Sequence, residues 1–157
     1  IPGDVRLLDV GEHQYMLSDG AFLASTTGVA LSTKSQGLGR ALLGGSGGFF
    51  IMKTEGSGTL AVSGFGSLRE IQVTPDKPVF VDNGHLVAWD QALDYELSLN
   101  TGRTGLLGKL VNSQTTGEGI VLRFRGSGTI WVCSRHKGGF IDWICETGNL
   151  RKAPAND

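Results

Sequence analysis

One stretch of this chain occurs twice. Phe50-Ile-Met-Lys-Thr-Glu-Gly-Ser-Gly-Thr-Leu-Ala-Val62 returns as Ile120-Val-Leu-Arg-Phe-Arg-Gly-Ser-Gly-Thr-Ile-Trp-Val132. Gly56 corresponds to Gly126 and Val62 to Val132, both at a spacing of 70, so the register between copies is fixed. Strand, tight glycine turn and strand fit each copy, so the expectation is one hairpin module used twice. A weaker echo sets Gly20-Ala-Phe-Leu-Ala24 against Gly84-His-Leu-Val-Ala88, at a spacing of 64. The glycine-broken runs 37–45 and 105–111 precede the two copies and read as equivalent connections. The expected organisation is a single domain over 1–150, duplicated across about 20–73 and 84–144, with a flexible tail at 151–157.

A chain of 157 residues can bury a real core. Its 25 glycines far exceed the usual ~7%. Glycine at that density suits a domain with many tight turns and would weaken a helical bundle. Val5–Val10 reads as a strand, and period-2 patterning runs through Ile71–Val73 and Leu93–Leu99. Strand runs flank Gly11-Glu12-His13, Thr27-Gly28 and Asp82-Asn83-Gly84, the last a strong hairpin signal. Pro75 and Pro78 must interrupt pairing, because proline lacks the donor. Strands are expected from end to end. The fold class is all-β: a sandwich or flattened barrel of antiparallel strands built from two similar halves.

A net charge of −1 argues against bulk affinity for nucleic acid. Residues 1–99 carry six Lys/Arg against eleven Asp/Glu, and 100–157 carry eight against four. Intermixed strands would average this asymmetry on the folded surface. Cys133 and Cys145 belong to no Cys-x-x-Cys pair and read as free thiols of a reducing compartment, although a disulfide between neighbouring strands stays open. No apolar run approaches the ~20 residues of a membrane helix, so no transmembrane segment is expected. The expected location is the cytoplasm for a bacterial chain and the mitochondrion for a eukaryotic one.

Catalytic signals are weak. Gly44-Gly-Ser46-Gly-Gly48 satisfies Gly-x-Ser-x-Gly, but a nucleophile elbow needs a strand before the serine and a helix after it. Here a glycine run precedes Ser46 and a strand follows. His13, His85 and His136 are scattered beside turns, lack metal-ligand spacing, and read as solvent-facing. The glycine runs lack the Gly-Lys-Ser/Thr ending of a phosphate loop. Asp94 and Glu96 alternate with apolar neighbours and fall on the wet face. No cofactor is expected. Arg123, Arg125 and Arg135 with Trp131 form a candidate contact for single-stranded RNA, the arginines of one strand sharing a face.

Several stretches together resemble a known family. They are Pro2-Gly-Asp-Val5, Ala21-Phe-Leu-Ala-Ser25, Gly45-Ser-Gly-Gly-Phe49, Glu55-Gly-Ser-Gly-Thr59, Val81-Asp-Asn-Gly-His-Leu-Val-Ala-Trp-Asp90 and Arg125-Gly-Ser-Gly-Thr-Ile-Trp-Val132. Together they look like the altered inheritance of mitochondria protein 24 family, over most of residues 2–134. The resemblance implies stacked sheets like those of the tryptophan RNA-binding attenuation protein, ring-like or higher oligomers, and no established activity. Members usually carry a strand-rich segment before the Pro-Gly motif, whereas this sequence begins at Ile1. The chain therefore reads as a fragment or a short member.

The expected function is that of a non-enzymatic, homo-oligomeric structural or scaffold protein whose partner is itself. Leu42, Leu43, Leu106 and Leu107 are its candidate contacts, because leucines in surplus apolar turns would form exposed patches on a monomer. A module binding single-stranded RNA or a small ligand is the alternative, and a serine hydrolase through Ser46 the remote one.

Overall fold

The computed structural model of the chain describes residues 3–35, 50–98 and 121–148. The first strands are β1 (Gly3–Val10), β2 (Tyr15–Leu17), β3 (Phe22–Ser25) and β4 (Val29–Ser35). Next come β5 (Phe50–Gly56), β6 (Gly58–Phe65), β7 (Leu68–Val73) and β8 (Val79–Asp82). The last are β9 (Leu86–Asp90), β10 (Asp94–Ser98), β11 (Val121–Arg125) and β12 (Gly128–Cys133), followed by helix α1 (Lys137–Thr147). The all-β expectation holds. Six strands form a central sheet in the order β4-β5-β2-β9-β12-β7, and two three-stranded sheets, β1-β6-β3 and β10-β11-β8, cover it.

Side-chain alternation explains the layering. On one face of the central sheet Leu17, Ala88 and Trp131 join Leu8, Leu60 and Val62. On the other, Met16, Trp89 and Ile130 join Val81, Leu122 and Phe124. Both faces are therefore covered, and every residue of β2 and β9 is buried. Thr54, wholly buried in this layer, accepts from the Tyr15 amide at 2.8 Å and donates to the Gln14 side-chain oxygen at 2.9 Å. A buried hydroxyl with both roles filled avoids the desolvation cost of an orphan.

The repeated segments are not hairpins. β5 and β6 lie in different sheets, and so do β11 and β12. Positive φ at Gly56 (94°), Gly58 (148°) and Gly126 (108°) carries the chain around a corner between layers. Backbone groups at the first corner are satisfied elsewhere: Ser57 N donates to the Gly28 carbonyl at 3.0 Å, and Thr59 N to Thr26 Oγ1 at 3.0 Å. Asp82-Asn83-Gly84 departs from expectation in the same way. Asn83–His85 is a 3-10 turn capped by Asp82, and β8 and β9 part into different sheets. The consecutive strands that do pair, β4 with β5 and β10 with β11, are those with the longest connections between them.

The registers carry the spacings seen in the sequence. Met16 faces Lys53, and Phe80 faces Arg123; the first members differ by 64 in number and the second by 70. Leu31 opposite Thr54 and Tyr95 opposite Phe124 are related likewise. Ala24 opposite Ala61 and Ala88 opposite Trp131 follow the same rule. Even the register shift in β3 against β6 recurs in β9 against β12.

Helix α1 occupies a stretch expected to be strand. His136 caps it, Nδ1 accepting from Gly139 N at 3.2 Å, and Phe140 rests on Phe65 with ring centroids 5.0 Å apart. None of its residues is fully buried. The expected tail, 151–157, lies outside the described residues.

Asp4 ties β1 to the central sheet, one carboxylate oxygen accepting from Leu68 N at 3.1 Å and the other from Val5 N at 2.9 Å. These backbone bonds, that to Leu68 foremost, hold its pKa below the ordinary 3.8. A depressed carboxylate stabilises the fold fully above the unfolded pKa and loses that contribution as pH falls through the folded one. Acid titration followed by circular dichroism should therefore show Asp4→Asn losing less stability than the parent below pH ~4.

Candidate functional site

The outer face of β10-β11-β8 carries Arg123 and Arg125, two of the four residues expected to contact RNA. β11 sits between its two neighbours, so Arg123 meets Glu96 on one side and Phe80 on the other. Arg123 Nη1 lies 3.3 Å from Glu96 Oε1, Arg125 Nη2 lies 3.5 Å from the same oxygen, and the Arg123 guanidinium stands 5.5 Å over the Phe80 ring. One carboxylate thus serves both arginines, and the ring covers one of them. Phe80 itself is largely exposed.

The proposed RNA-contact residues do not come together. Trp131 is buried in the central sheet, edge-on to Tyr15 at 5.4 Å, in a different layer from Arg123 and Arg125. The Tyr15 contact gives it a core role instead. Arg135, past the end of β12, lies 6.0 Å over Phe65. Leu42, Leu43, Leu106, Leu107 and Ser46 lie outside the described residues.

The opposite outer sheet, β1-β6-β3, presents Val5, Leu7 and Leu23 to solvent. Sequence reasoning missed these, and Phe80, as surface residues. Their strands alternate correctly, but on an outer layer one of the two faces has nothing beyond it.

Two other clusters are structural in their geometry. Buried Asp90 accepts from Thr129 N at 2.8 Å, fixing the corner before β12, and His13 Nδ1 approaches its other oxygen at 3.5 Å. Tyr15 beside it donates to the Asp9 carbonyl at 3.1 Å. Burial, then the charges of Asp90, Asp9 and Glu70, push the Tyr15 pKa above 10.0. A raised pKa leaves stability intact below the unfolded value and removes it as pH rises through the folded one. Tyr15→Phe should cost about 0.5–1.5 kcal/mol at pH 7 and blunt the stability loss above pH ~10, read from urea midpoints across pH.

In the second cluster His85 Nδ1 lies 2.8 Å from the Cys133 carbonyl, and the His85 and His136 rings are 5.9 Å apart. His85 is thus half-buried and hydrogen-bonded instead of solvent-facing. Cys133 is buried and Cys145 half-buried, both free. Among the described residues no three His, Cys, Asp or Glu side chains are placed to hold a metal ion. No helix among them is long and apolar enough to cross a membrane.

The comparisons place these features in a family. The model for mitochondrial biogenesis AIM24 matches residues 1–135. The chain belongs to that family. An uncharacterised protein of Streptococcus pyogenes serotype M6 is 42% identical over 133 residues, 85% of this chain and 50% of the relative. The crystal structure of another Streptococcus pyogenes protein superposes with a TM-score of 0.77 at 37% identity, over 93% of this chain and 61% of that one. The chain thus spans about half the length of the curated relative it matches.

Proposed function

We propose that this AIM24-family chain is a non-enzymatic structural module that works by assembling with copies of itself. The observation that carries this is the pair of outer sheets, each presenting large apolar side chains outward: Phe80 on one, Val5, Leu7 and Leu23 on the other. Large apolar side chains standing outward on both covering sheets support a contact role. The matching registers of the two halves supply a second support, since a duplicated unit with one junction inside the chain can form the same junction between chains.

Light scattering on a sizing column tests this reading. A discrete multiple of 16.6 kDa is expected, and a concentration-independent monomer would contradict it. Glu96 pairs with both arginines of β11 and the Phe80 ring covers one of them, so filter binding with mixed single-stranded RNA at low salt should show no salt-sensitive retention. A bacterial chain of this kind would work in the cytoplasm, where two free thiols persist.

A further inference from the structure

We propose that α1 is a pH-sensitive latch, docked against Phe65 while His136 is neutral and loosened when that imidazole takes up a proton. The device is separate from self-assembly and would act in a monomer or an oligomer alike.

Two backbone groups fix where the protons sit. Gly139 N can only donate, and it lies 3.2 Å from His136 Nδ1, so that nitrogen must present a lone pair. The Cys133 carbonyl can only accept, and His85 Nδ1 lies 2.8 Å from it, so that nitrogen carries a hydrogen. The two imidazoles therefore answer acid in opposite ways. His85 keeps its bond when charged, because its Nδ1 already donates. His136 loses its bond, because a proton on Nδ1 sets one donor against another. The new charge also stands at the N-terminal end of α1, where the helix macrodipole is already positive. A charge on the His85 ring, 5.9 Å away, would repel it further.

His136 is the joint between α1 and the sheets. Its carbonyl takes the first helical bond, from Phe140 N at 3.1 Å, and its ring lies against Gly84, where a Cβ would overlap it. Phe140 meets Phe65 with ring centroids 5.0 Å apart, and Arg135 stands 6.0 Å over the same Phe65 ring. Gly138 and Gly139 fill the first turn of α1, and each favours the unwound chain, so the cap carries weight here. Arg135 and Lys137 flank the imidazole in sequence and raise the cost of a further positive charge. On the 83–85 turn the groups are His85 and the capping Asp82, one carboxylate oxygen of which accepts from Gly84 N at 2.7 Å. The Cys133 thiol at the end of β12 donates to the Arg135 carbonyl at 3.4 Å. No acid stands in the first turn of α1; Asp142 and Glu146 come later in the helix. A proton on His136 thus disfavours the docked form. Docking is full above the range in which imidazoles ordinarily titrate and weakens as pH falls through it.

The test is amide hydrogen exchange on the whole chain, read by mass spectrometry and corrected for the intrinsic pH dependence of exchange. Protection across α1 is expected to fall at least about fivefold from pH ~7.5 to pH ~5, as for loss of a cap, while β9 and β12 keep theirs. His136→Asn and His136→Asp supply acceptors that do not titrate in this range, so α1 should stay protected at both pH values. His136→Ala, without a cap, should show low protection at both. His85→Asn retains a donor and should leave most of the pH response in place. Undiminished protection of α1 in the parent at the lower pH would overturn the latch. A fall shared equally by β9 and β12 would be general loosening and overturns it too. Equal losses in the Asn, Asp and Ala variants would mean that ring packing on Gly84, not the cap, holds the helix. A response abolished by His85→Asn alone would place the trigger on the other imidazole and contradict the assignment to His136.

Discussion

Trp89→Ala is expected to lower unfolding free energy by about 3–5 kcal/mol, a fall in Tm of roughly 6–20 °C for a chain of this size. Trp89 is wholly buried on the central strand β9 and meets two aromatic rings edge-on, Tyr95 at 5.4 Å and Phe124 at 5.7 Å. Those rings belong to β10 and β11, so the indole bonds the central sheet to the outer one. Truncation removes that contact and leaves a cavity that a sheet held on both faces cannot collapse to fill. The indole Nε1 is buried without a hydrogen-bond partner, so little of the effect is polar. Trp89→Phe should therefore cost about 1–2 kcal/mol, since shape is mostly kept and an orphan donor is removed. Urea unfolding of both variants checks this; a loss below ~1 kcal/mol for Trp89→Ala would mean the layers are not joined there.

Gly56→Ala and Gly126→Ala should differ, although the two glycines hold matching places in the repeated segment. Both have positive φ, which costs an alanine about 1–2 kcal/mol. A Cβ at Gly56 would also run into the Gly28 carbonyl, the acceptor for Ser57 N. At Gly126 the nearest atom, on Leu93, stands 3.7 Å away. The first substitution is thus expected to cost about 3 kcal/mol or more and the second only the backbone strain. Equal losses in thermal unfolding would show that the Thr26–Gly28 loop gives way and does not brace the corner.

The strands were legible in the sequence because period-2 burial leaves a direct mark, and the spacings of 64 and 70 reappeared intact in the registers. Sheet membership was not legible. Gly-Ser-Gly and Asp-Asn-Gly look the same whether they close a hairpin or turn a corner, since both need backbone that tolerates positive φ. Which one forms depends on where β1, β3 and β4 wait to pair, and that is a long-range fact. Trp131 was ambiguous for a related reason: a central sheet is buried on both faces, so alternation does not say which side is wet. The helix had a local signal in His136 ahead of Phe140, Ile141 and Ile144, but two glycines at its start mask it. The exposure of Phe80 and Leu23 was not legible because a strand's alternation does not say whether a further layer covers its second face.

The absolute mass in solution tests the self-assembly reading most directly. Light scattering on a sizing column, run across a hundredfold range of concentration, should return a discrete multiple of 16.6 kDa. A mass of 16.6 kDa at every concentration would contradict it.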